Sequence, residues 1–251
     1  DRAVANGVKN LVVQPTHLMH GAEYDEMVEA IDNYKDKFES VAIAEPMLGE
    51  VGDDATVIND DKKAVAQAIT DEACKVAGYD SMEAAAEDGT AFVFMGHGTS
   101  HTANVTYDQM QTQMEDLGFT NAFIGTVEGE PEDTECQAVI AKVKDAGFKK
   151  VVLRPLMVVA GDHANNDMAG DDDDSWKSQF NASGAFDSVD CQIAGLGRIE
   201  AVEDLYVEHT KAAIDSLGTA DTAEETTDDT AEAADDTTDG AEEVTDDSAA
   251  E

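Results

Sequence analysis

Two histidines stand where an apolar run of the sequence breaks into glycines. The stretch "FVFMGHGTSH" begins at Phe92 as a buried strand and places His97 and His101 just beyond the end of that strand. A turn at this point needs glycine but does not need imidazole, a group that binds transition metals and exchanges protons near neutral pH. Metal or proton chemistry at this turn would require further ligands from other parts of the chain.

Such groups follow the next two apolar runs. Glu128 comes after "FIGTV", and His163 comes after "PLMVVA", between Asp162 and Asp167. Two imidazoles and one carboxylate form a ligand set for a borderline divalent metal such as cobalt, zinc, iron or nickel, with coordination positions left for a reactant. A single histidine is more often structural than a ligand. The prediction of a metal site therefore depends on three strand ends carrying these groups in succession.

The candidate ligands need a scaffold that brings strand ends together. Six short apolar runs, starting near residues 10, 41, 91, 121, 149 and 188, alternate with longer amphipathic segments. This alternation predicts an α/β fold with parallel sheets covered by helices on both faces. Ligands bind beyond the carboxyl ends of the strands in such sheets. Because parallel strands lie about 4.8 Å apart, His97, Glu128 and His163 can converge on one ion.

Composition predicts how the chain is divided. A polar stretch near residues 81–90 indicates a boundary between two similar α/β halves, residues 1–88 and residues 89–218, of which the second carries the metal site and the last helix. Residues 219–251 contain 14 acidic residues and no lysine or arginine. Such a segment cannot bury enough apolar area to become ordered, so we expect a disordered acidic tail.

Charge and motifs narrow the range of partners. The 251 residues carry a formal net charge of -41, and residues 1–218 alone contain 42 acidic against 15 basic residues. This balance argues against nucleic acid and anionic membranes and suits a divalent metal ion. The sequence contains no run of 18 apolar residues, so we expect no membrane span. It contains no phosphate loop, so we expect no nucleotide or flavin cofactor. Three isolated cysteines fit a reducing compartment, so we expect a cytoplasmic protein.

Three segments carry a resemblance to a known family. "VFMGHGTSH", "GTVEGEPE" and "PLMVVAGDHANNDMAGDDDDSW", in this order and at these spacings, closely resemble the anaerobic, CbiK-type sirohydrochlorin cobaltochelatases, and "THLMHGAEYDEM" resembles a further segment of that family. The resemblance covers roughly residues 10–217. It implies two Rossmann-like parallel-sheet domains of the chelatase fold, with a tetrapyrrole cleft between them. The implied activity is ATP-independent insertion of Co(II), as substrate metal, into sirohydrochlorin or a closely related tetrapyrrole in cobalamin biosynthesis.

The resemblance also assigns roles to individual residues. It makes His97, Glu128 and His163 the metal ligands and catalytic residues. Glycines on both sides of His97 would let a flat macrocycle approach the backbone. The residues expected to line the substrate pocket are His17, Gly96, Gly98, Thr99 and His101.

Neighbouring polar residues have two interpretations each. His101 either supports the site or caps the following helix. Asp162 either orients His163 or is an ordinary turn residue. The run Asp171 to Asp174 either draws cations toward the cleft or caps the helix that begins near "SWKSQF".

The chain also departs from the family pattern. The family begins with a strand that ends in a Gly-Thr-Ser turn and continues into a helix, and this chain lacks that unit, so we expect that the first βα unit is missing. A signal peptide upstream would indicate an exported protein. Alternative functions are a chelatase for iron or nickel and a non-catalytic metal- or haem-binding carrier. The sequence leaves the oligomeric state open.

Overall fold

Strands and helices alternate along the chain, as the sequence predicts. The computed structural model describes residues 1–224, with side chains described up to residue 217. The strands are β1 (Asn10–Val13), β2 (Ser40–Ile43), β3 (Thr90–Gly96), β4 (Ala122–Thr126), β5 (Lys150–Pro155) and β6 (Ser188–Cys191). The α-helices are α1 (Arg2–Ala5), α2 (Ala22–Asp32), α3 (Asp60–Ala77), α4 (Met82–Glu87), α5 (Val105–Asp116), α6 (Cys136–Asp145), α7 (Trp176–Ala182) and α8 (Glu200–Glu224). Shorter turns are the 3₁₀-helices Lys35–Lys37, Thr102–Asn104, Glu132–Thr134 and Leu196–Arg198 and the π-helix Ala164–Met168.

The strands form two separate parallel sheets. β1 pairs with β2, and the other four strands pair in the order β4-β3-β5-β6. Parallel neighbours cannot be joined by tight turns and need crossover connections, which helices α2 to α7 supply between successive strands. The predicted α/β architecture with parallel sheets is confirmed.

The four-stranded sheet is covered on both faces. Phe92 and Phe94 of β3 face a core formed with α3 and α5, while Val93 and Met95 face a second core formed with α6 and α7. This division follows from the two-residue period of a strand. Every residue of β3 and β4 is buried. The carboxyl-terminal edge of this sheet is therefore a firmly packed base for the residues that follow it.

The two-stranded sheet is packed by the last helix of the chain. Thr210 of α8 donates a hydrogen bond to Gln14 Oε1 at 2.7 Å, and the Tyr206 hydroxyl donates one to the His17 carbonyl at 3.1 Å. The sequence prediction grouped this helix with residues 89–218, and in the structure it contacts β1, β2 and α3. Its Val202 belongs to a core that contains both Met47 and Phe92.

Several boundaries differ from those predicted. The apolar run that starts near residue 149 continues through "PLMVVA", but β5 ends at Pro155, so the following residues leave the sheet. The polar stretch at residues 81–90 holds α4, which Ser81 caps by accepting a hydrogen bond from the Ala84 amide at 3.1 Å. α8 continues to Glu224, beyond the boundary expected at residue 218. The predicted disordered tail spans residues 219–251. Of these, residues 225–251 lie outside the described residues. No helix within residues 1–224 combines the length and apolarity that a membrane crossing needs.

Candidate metal site and cleft

Three adjacent strands bring the candidate ligands to one edge of the four-stranded sheet. Strand β3 lies between β4 and β5, and His97, Glu128 and His163 follow the ends of these three strands. The backbone continues the pairing briefly beyond the sheet, since the Glu128 amide donates a hydrogen bond to the His97 carbonyl at 2.9 Å. Parallel pairing therefore explains why residues far apart in sequence meet at this edge.

The His97 and His163 side chains contact each other. Their ring centroids lie 4.7 Å apart at an interplanar angle of 83°. Nδ1 of His97 lies 2.9 Å from the Gly98 carbonyl oxygen, and Nδ1 of His163 lies 2.6 Å from Asp167 Oδ2. A carbonyl oxygen and an ionised carboxylate can only accept, so both Nδ1 atoms carry the proton. Each neutral ring then keeps a lone pair at Nε2, the atom through which imidazole can bind a metal.

Tyr107 shapes the turn that carries His97. The Gly98 amide donates a hydrogen bond to the Tyr107 hydroxyl at 3.0 Å, and burial raises the pKa of this hydroxyl. A Cβ at Gly96 would lie 2.4 Å from Tyr107 Cε1, so only glycine fits there. Gly98 has a φ of 92°, a conformation that side chains rarely adopt. Tyr107 follows the "GHGTSH" turn closely in sequence, but no spacing rule would have placed its ring under Gly96.

A cleft with a volume of about 600 Å³ opens beside His97. Its apolar lining comes from both parts of the chain, including Leu18 and Met19 from the first and Leu156 and Met157 from the second. It contains glutamates but no lysine or arginine, so its potential favours cations. The predicted pocket residues that line it are His17, Gly98 and Thr99. Gly96 lies beneath the turn against Tyr107 instead, and His101 is not part of the lining.

His101 caps a helix. Its Nδ1 accepts a hydrogen bond from the Ala103 amide at 3.1 Å, and its Nε2 lies 3.2 Å from Asp25 Oδ2. With Nδ1 accepting and Nε2 donating, this ring has no lone pair left for a metal. Of the two interpretations of His101, its contacts match the cap.

The contacts of the acidic residues beyond β5 match only some of the interpretations given to them, and for Asp162 they match the ordinary turn residue. Asp162 Oδ1 accepts a hydrogen bond from Asn166 Nδ2 at 2.6 Å, so Asp167, and not Asp162, contacts His163. The N-cap of α7 is Ser175, whose hydroxyl accepts from the Ser178 amide at 3.2 Å. The run Asp171 to Asp174 therefore does not provide the side-chain cap. These four residues are exposed, and Asp171 pairs with Lys177 at 3.0 Å.

Glu128 lines the cleft but does not complete a three-ligand geometry. Within residues 1–217, no group of three or more histidine, cysteine, aspartate or glutamate side chains is arranged to hold a metal ion. The Glu128 side chain is exposed, and it also borders a second cavity of about 320 Å³ that Asp167 lines. The rings of His97 and His163 are therefore in contact, and the Glu128 carboxylate lies at the same edge of the sheet without completing a ligand set.

The other candidate groups have different surroundings. His20 Nε2 lies 2.6 Å from Glu45 Oε2, and its ring lies 4.2 Å from that of Tyr24, away from the cleft lining. His17 lines the cleft, and its buried Nδ1 has no hydrogen-bond partner among the described residues. Burial raises the pKa of the Cys136 thiol to about 12, as expected for a core residue that is not a nucleophile.

The fold and the family of the chain follow from comparisons with known proteins. The fold is similar to that of SirB from Bacillus subtilis, solved with Fe3+, with a TM-score of 0.58, 15% identity, and coverage of 86% of this chain and 76% of that chain. This is the class II chelatase fold, as predicted. The family model described as cobalt chelatase (CbiK) matches residues 2–215, and the chain belongs to this family.

Two curated relatives cover most of the chain. A sirohydrochlorin cobaltochelatase of Salmonella typhimurium is 32% identical over 213 residues, which are 85% of this chain and 72% of that protein. The sirohydrochlorin cobaltochelatase CbiKC of Nitratidesulfovibrio vulgaris is 29% identical over 212 residues, which are 83% of this chain and 66% of that protein. The resemblance predicted from the three sequence segments is therefore confirmed.

Proposed function

We propose that this protein inserts Co(II) into sirohydrochlorin or a closely related tetrapyrrole without a nucleotide. The observation that carries the proposal is the contact between His97 and His163, in which both Nδ1 protons are directed to oxygen atoms and both Nε2 lone pairs remain available. Membership of the cobalt chelatase family and two relatives named sirohydrochlorin cobaltochelatase support it.

The proposed roles follow from the chemistry of metal insertion. A divalent ion enters a tetrapyrrole only when two pyrrolic protons leave and the ion loses water. His97, which lines the cleft, accepts one pyrrolic proton at Nε2, and water in the open cleft accepts the other. His163 holds the ion, and Glu128 supplies negative charge against it. One nitrogen cannot hold a proton and a metal at once, so a pair of imidazoles allows the two tasks to be divided.

The first prediction tests this assignment. His97→Ala and His163→Ala should each lower the rate of Co(II) insertion by about 100-fold or more, because loss of a general base alone typically costs 10²–10⁴-fold. Tetrapyrrole affinity, measured by fluorescence quenching, should change little, since the apolar walls of the cleft remain. Insertion is followed by the absorbance of the metallated product, with and without ATP.

His20→Ala is the matched control, because this histidine contacts Glu45 and Tyr24 and takes no part in the His97–His163 contact, so insertion should stay near the wild-type rate. Parallel titrations with Ni(II) and Fe(II) test the alternative metals. Near-normal insertion by His97→Ala or His163→Ala would contradict the assignment. A wild-type protein that binds tetrapyrrole and metal without metallation would be a carrier, and a strict requirement for ATP would also overturn the proposal.

A further inference from the structure

Two aspartates lie close to His163 in the segment that follows β5. His163 precedes the π-helix Ala164–Met168, and Asp162 and Asp167 lie on either side of it in sequence. Asp162 accepts a hydrogen bond from Asn166 Nδ2, whereas Asp167 Oδ2 lies 2.6 Å from His163 Nδ1. The π-helix is a backbone form that is often found at functional sites. Here Asp167, four residues after His163, contacts the ring, and the adjacent Asp162 does not.

The contact with Asp167 determines which nitrogen of His163 is available. An ionised carboxylate has no proton to donate, so the hydrogen bond requires a proton on Nδ1. The neutral ring then has its lone pair at Nε2. The same contact restrains the χ angles of His163. The His163 ring lies edge-to-face against His97, at a centroid distance of 4.7 Å. Without the carboxylate, both the tautomer and the orientation of this ring would be unrestrained.

We propose that Asp167 is the positioning residue of the metal site, and that it holds His163 in the tautomer and orientation that receive Co(II). This inference deepens the proposed function and rests on it. Asp167 acts through the imidazole, and no contact between Asp167 and the ion is required. Metal-binding histidines commonly donate the N–H of their other ring nitrogen to a carboxylate in this way, and loss of such a partner typically costs about 10–100-fold in metal affinity or activity.

A purely structural role for Asp167 is a poor match for its surroundings. The side chains of His163 and Asp167 are 37% and 45% exposed, and a side-chain contact with this exposure contributes little to folding. The hydrogen bonds that fix the neighbouring backbone are made by other residues, including Asn165 Nδ2, which donates to the Gly161 carbonyl at 2.7 Å. Replacement of Asp167 should therefore affect the metal much more than the melting temperature.

The test uses the full chain and Co(II) alone as its first probe. The visible absorption of bound Co(II) is titrated without tetrapyrrole for the wild type, Asp167→Ala and Asp167→Asn, with Asp162→Ala as the matched control. Asp167→Ala should weaken Co(II) binding by about 10–100-fold and raise the KM for Co(II) more than it lowers kcat. Asp167→Asn should restore most of the affinity, because its amide oxygen still accepts from Nδ1. Asp162→Ala should match the wild type.

The possible results separate this inference from the proposed function. Unchanged Co(II) affinity in Asp167→Ala, an equal loss in Asp162→Ala, or a wild type that binds no Co(II) would overturn the role of Asp167. A fall in melting temperature shared by Asp167→Ala and Asp167→Asn, with no rescue of Co(II) binding by asparagine, would also overturn it. A wild type that binds Co(II) with the expected order of affinities but never metallates a tetrapyrrole would contradict the proposed function and leave the positioning role supported.

Discussion

The two sheets of this protein bury their strands to very different degrees. In β3 and β4 every residue is buried, and both faces of the four-stranded sheet are covered by helices. In β1 and β2 no residue is fully buried, and β1 begins with an exposed residue. Both sheets contribute to the same cleft, since Leu18 lines it from one side and His97 from the other.

Under the proposed function, this difference means that the two sides of the cleft have different tasks. The proposed chemistry lies on the firmly packed sheet, where a small displacement of one imidazole would separate it from the other. The first part of the chain contributes apolar side chains such as Leu18 and Met19 from a loop, which in the proposal cover the macrocycle and do not hold an ion. Groups that act on reacting atoms need precise positions, and the proposed groups follow the more tightly packed strands.

The largest expected effect comes from truncating one leucine in each sheet. Leu153 of β5 is 0% exposed, so Leu153→Ala should lower the free energy of unfolding by about 2–5 kcal/mol. Leu11 of β1 is half-buried, and Leu11→Ala should cost less than about 1.5 kcal/mol because less apolar surface is lost. Urea unfolding of both variants measures the difference. Equal losses would mean that the two-stranded sheet is as tightly packed as the other.

A second comparison uses Gly96, which lies beneath the turn that carries His97, and Gly21, which lines the opposite wall of the cleft. At Gly96 a Cβ would lie 2.4 Å from Tyr107 Cε1, so Gly96→Ala should cost about 1–3 kcal/mol and displace the turn that carries His97. At Gly21 the nearest atoms to a Cβ are 3.9 Å away, so Gly21→Ala should be tolerated. Melting temperatures and Co(II) insertion rates should fall together for the first variant only. A comparable loss of insertion in Gly21→Ala would show that the first wall also has to be precise.

The smallest expected effect concerns buried cations. Lys62 of α3 is 0% exposed, donates to the carbonyls of Leu48 and Glu50, and has its pKa lowered to about 8 by burial. Arg154 of β5 is 1% exposed, but a guanidinium does not lose its proton in this range. The free energy of unfolding should therefore respond to alkaline pH through Lys62 and not through Arg154.

The sign of the Lys62 effect follows from proton linkage. Above pH 8 the folded protein releases the Lys62 proton while the unfolded chain keeps it up to about pH 10.5, so this residue adds stability as pH rises. Between pH 8 and pH 9 the wild type should gain about 1 kcal/mol relative to Lys62→Met. Urea unfolding of both proteins at the two pH values removes contributions from other groups. A constant difference would mean that the lysine is not desolvated.

Much of the site could be predicted from the order of residues along the chain. Alternating apolar runs require parallel sheets, and parallel sheets place successive strand ends at one edge. The positions of His97 and His163 after two strand ends predict that they converge, and the structure brings their rings into contact. The set of three metal ligands that includes Glu128 stays a prediction.

Local backbone paths could not be predicted in the same way. Asp162 is adjacent to His163 in sequence, and choosing Asp167 over it requires knowledge of the π-helix that follows. The contact of Tyr107 with Gly96 depends on the angle at which α5 leaves the turn, which no residue pattern specifies. The packing of α8 on the first sheet depends on contacts between residues almost at opposite ends of the described chain.

The return of α8 to the first sheet has a consequence for the protein as it is being made. Thr210 and Gln14, which share a hydrogen bond, are 196 positions apart, and Tyr206 and His17 are 189 apart. A ribosome adds about 5–20 residues per second, so roughly 10–40 seconds pass between the emergence of these partners. During that interval β1 and β2 have no final helix to cover them. The four-stranded sheet, whose strands and crossover helices follow one another directly, can be finished first, and the wall that carries Leu18 and Met19 is the last part of the cleft to be completed.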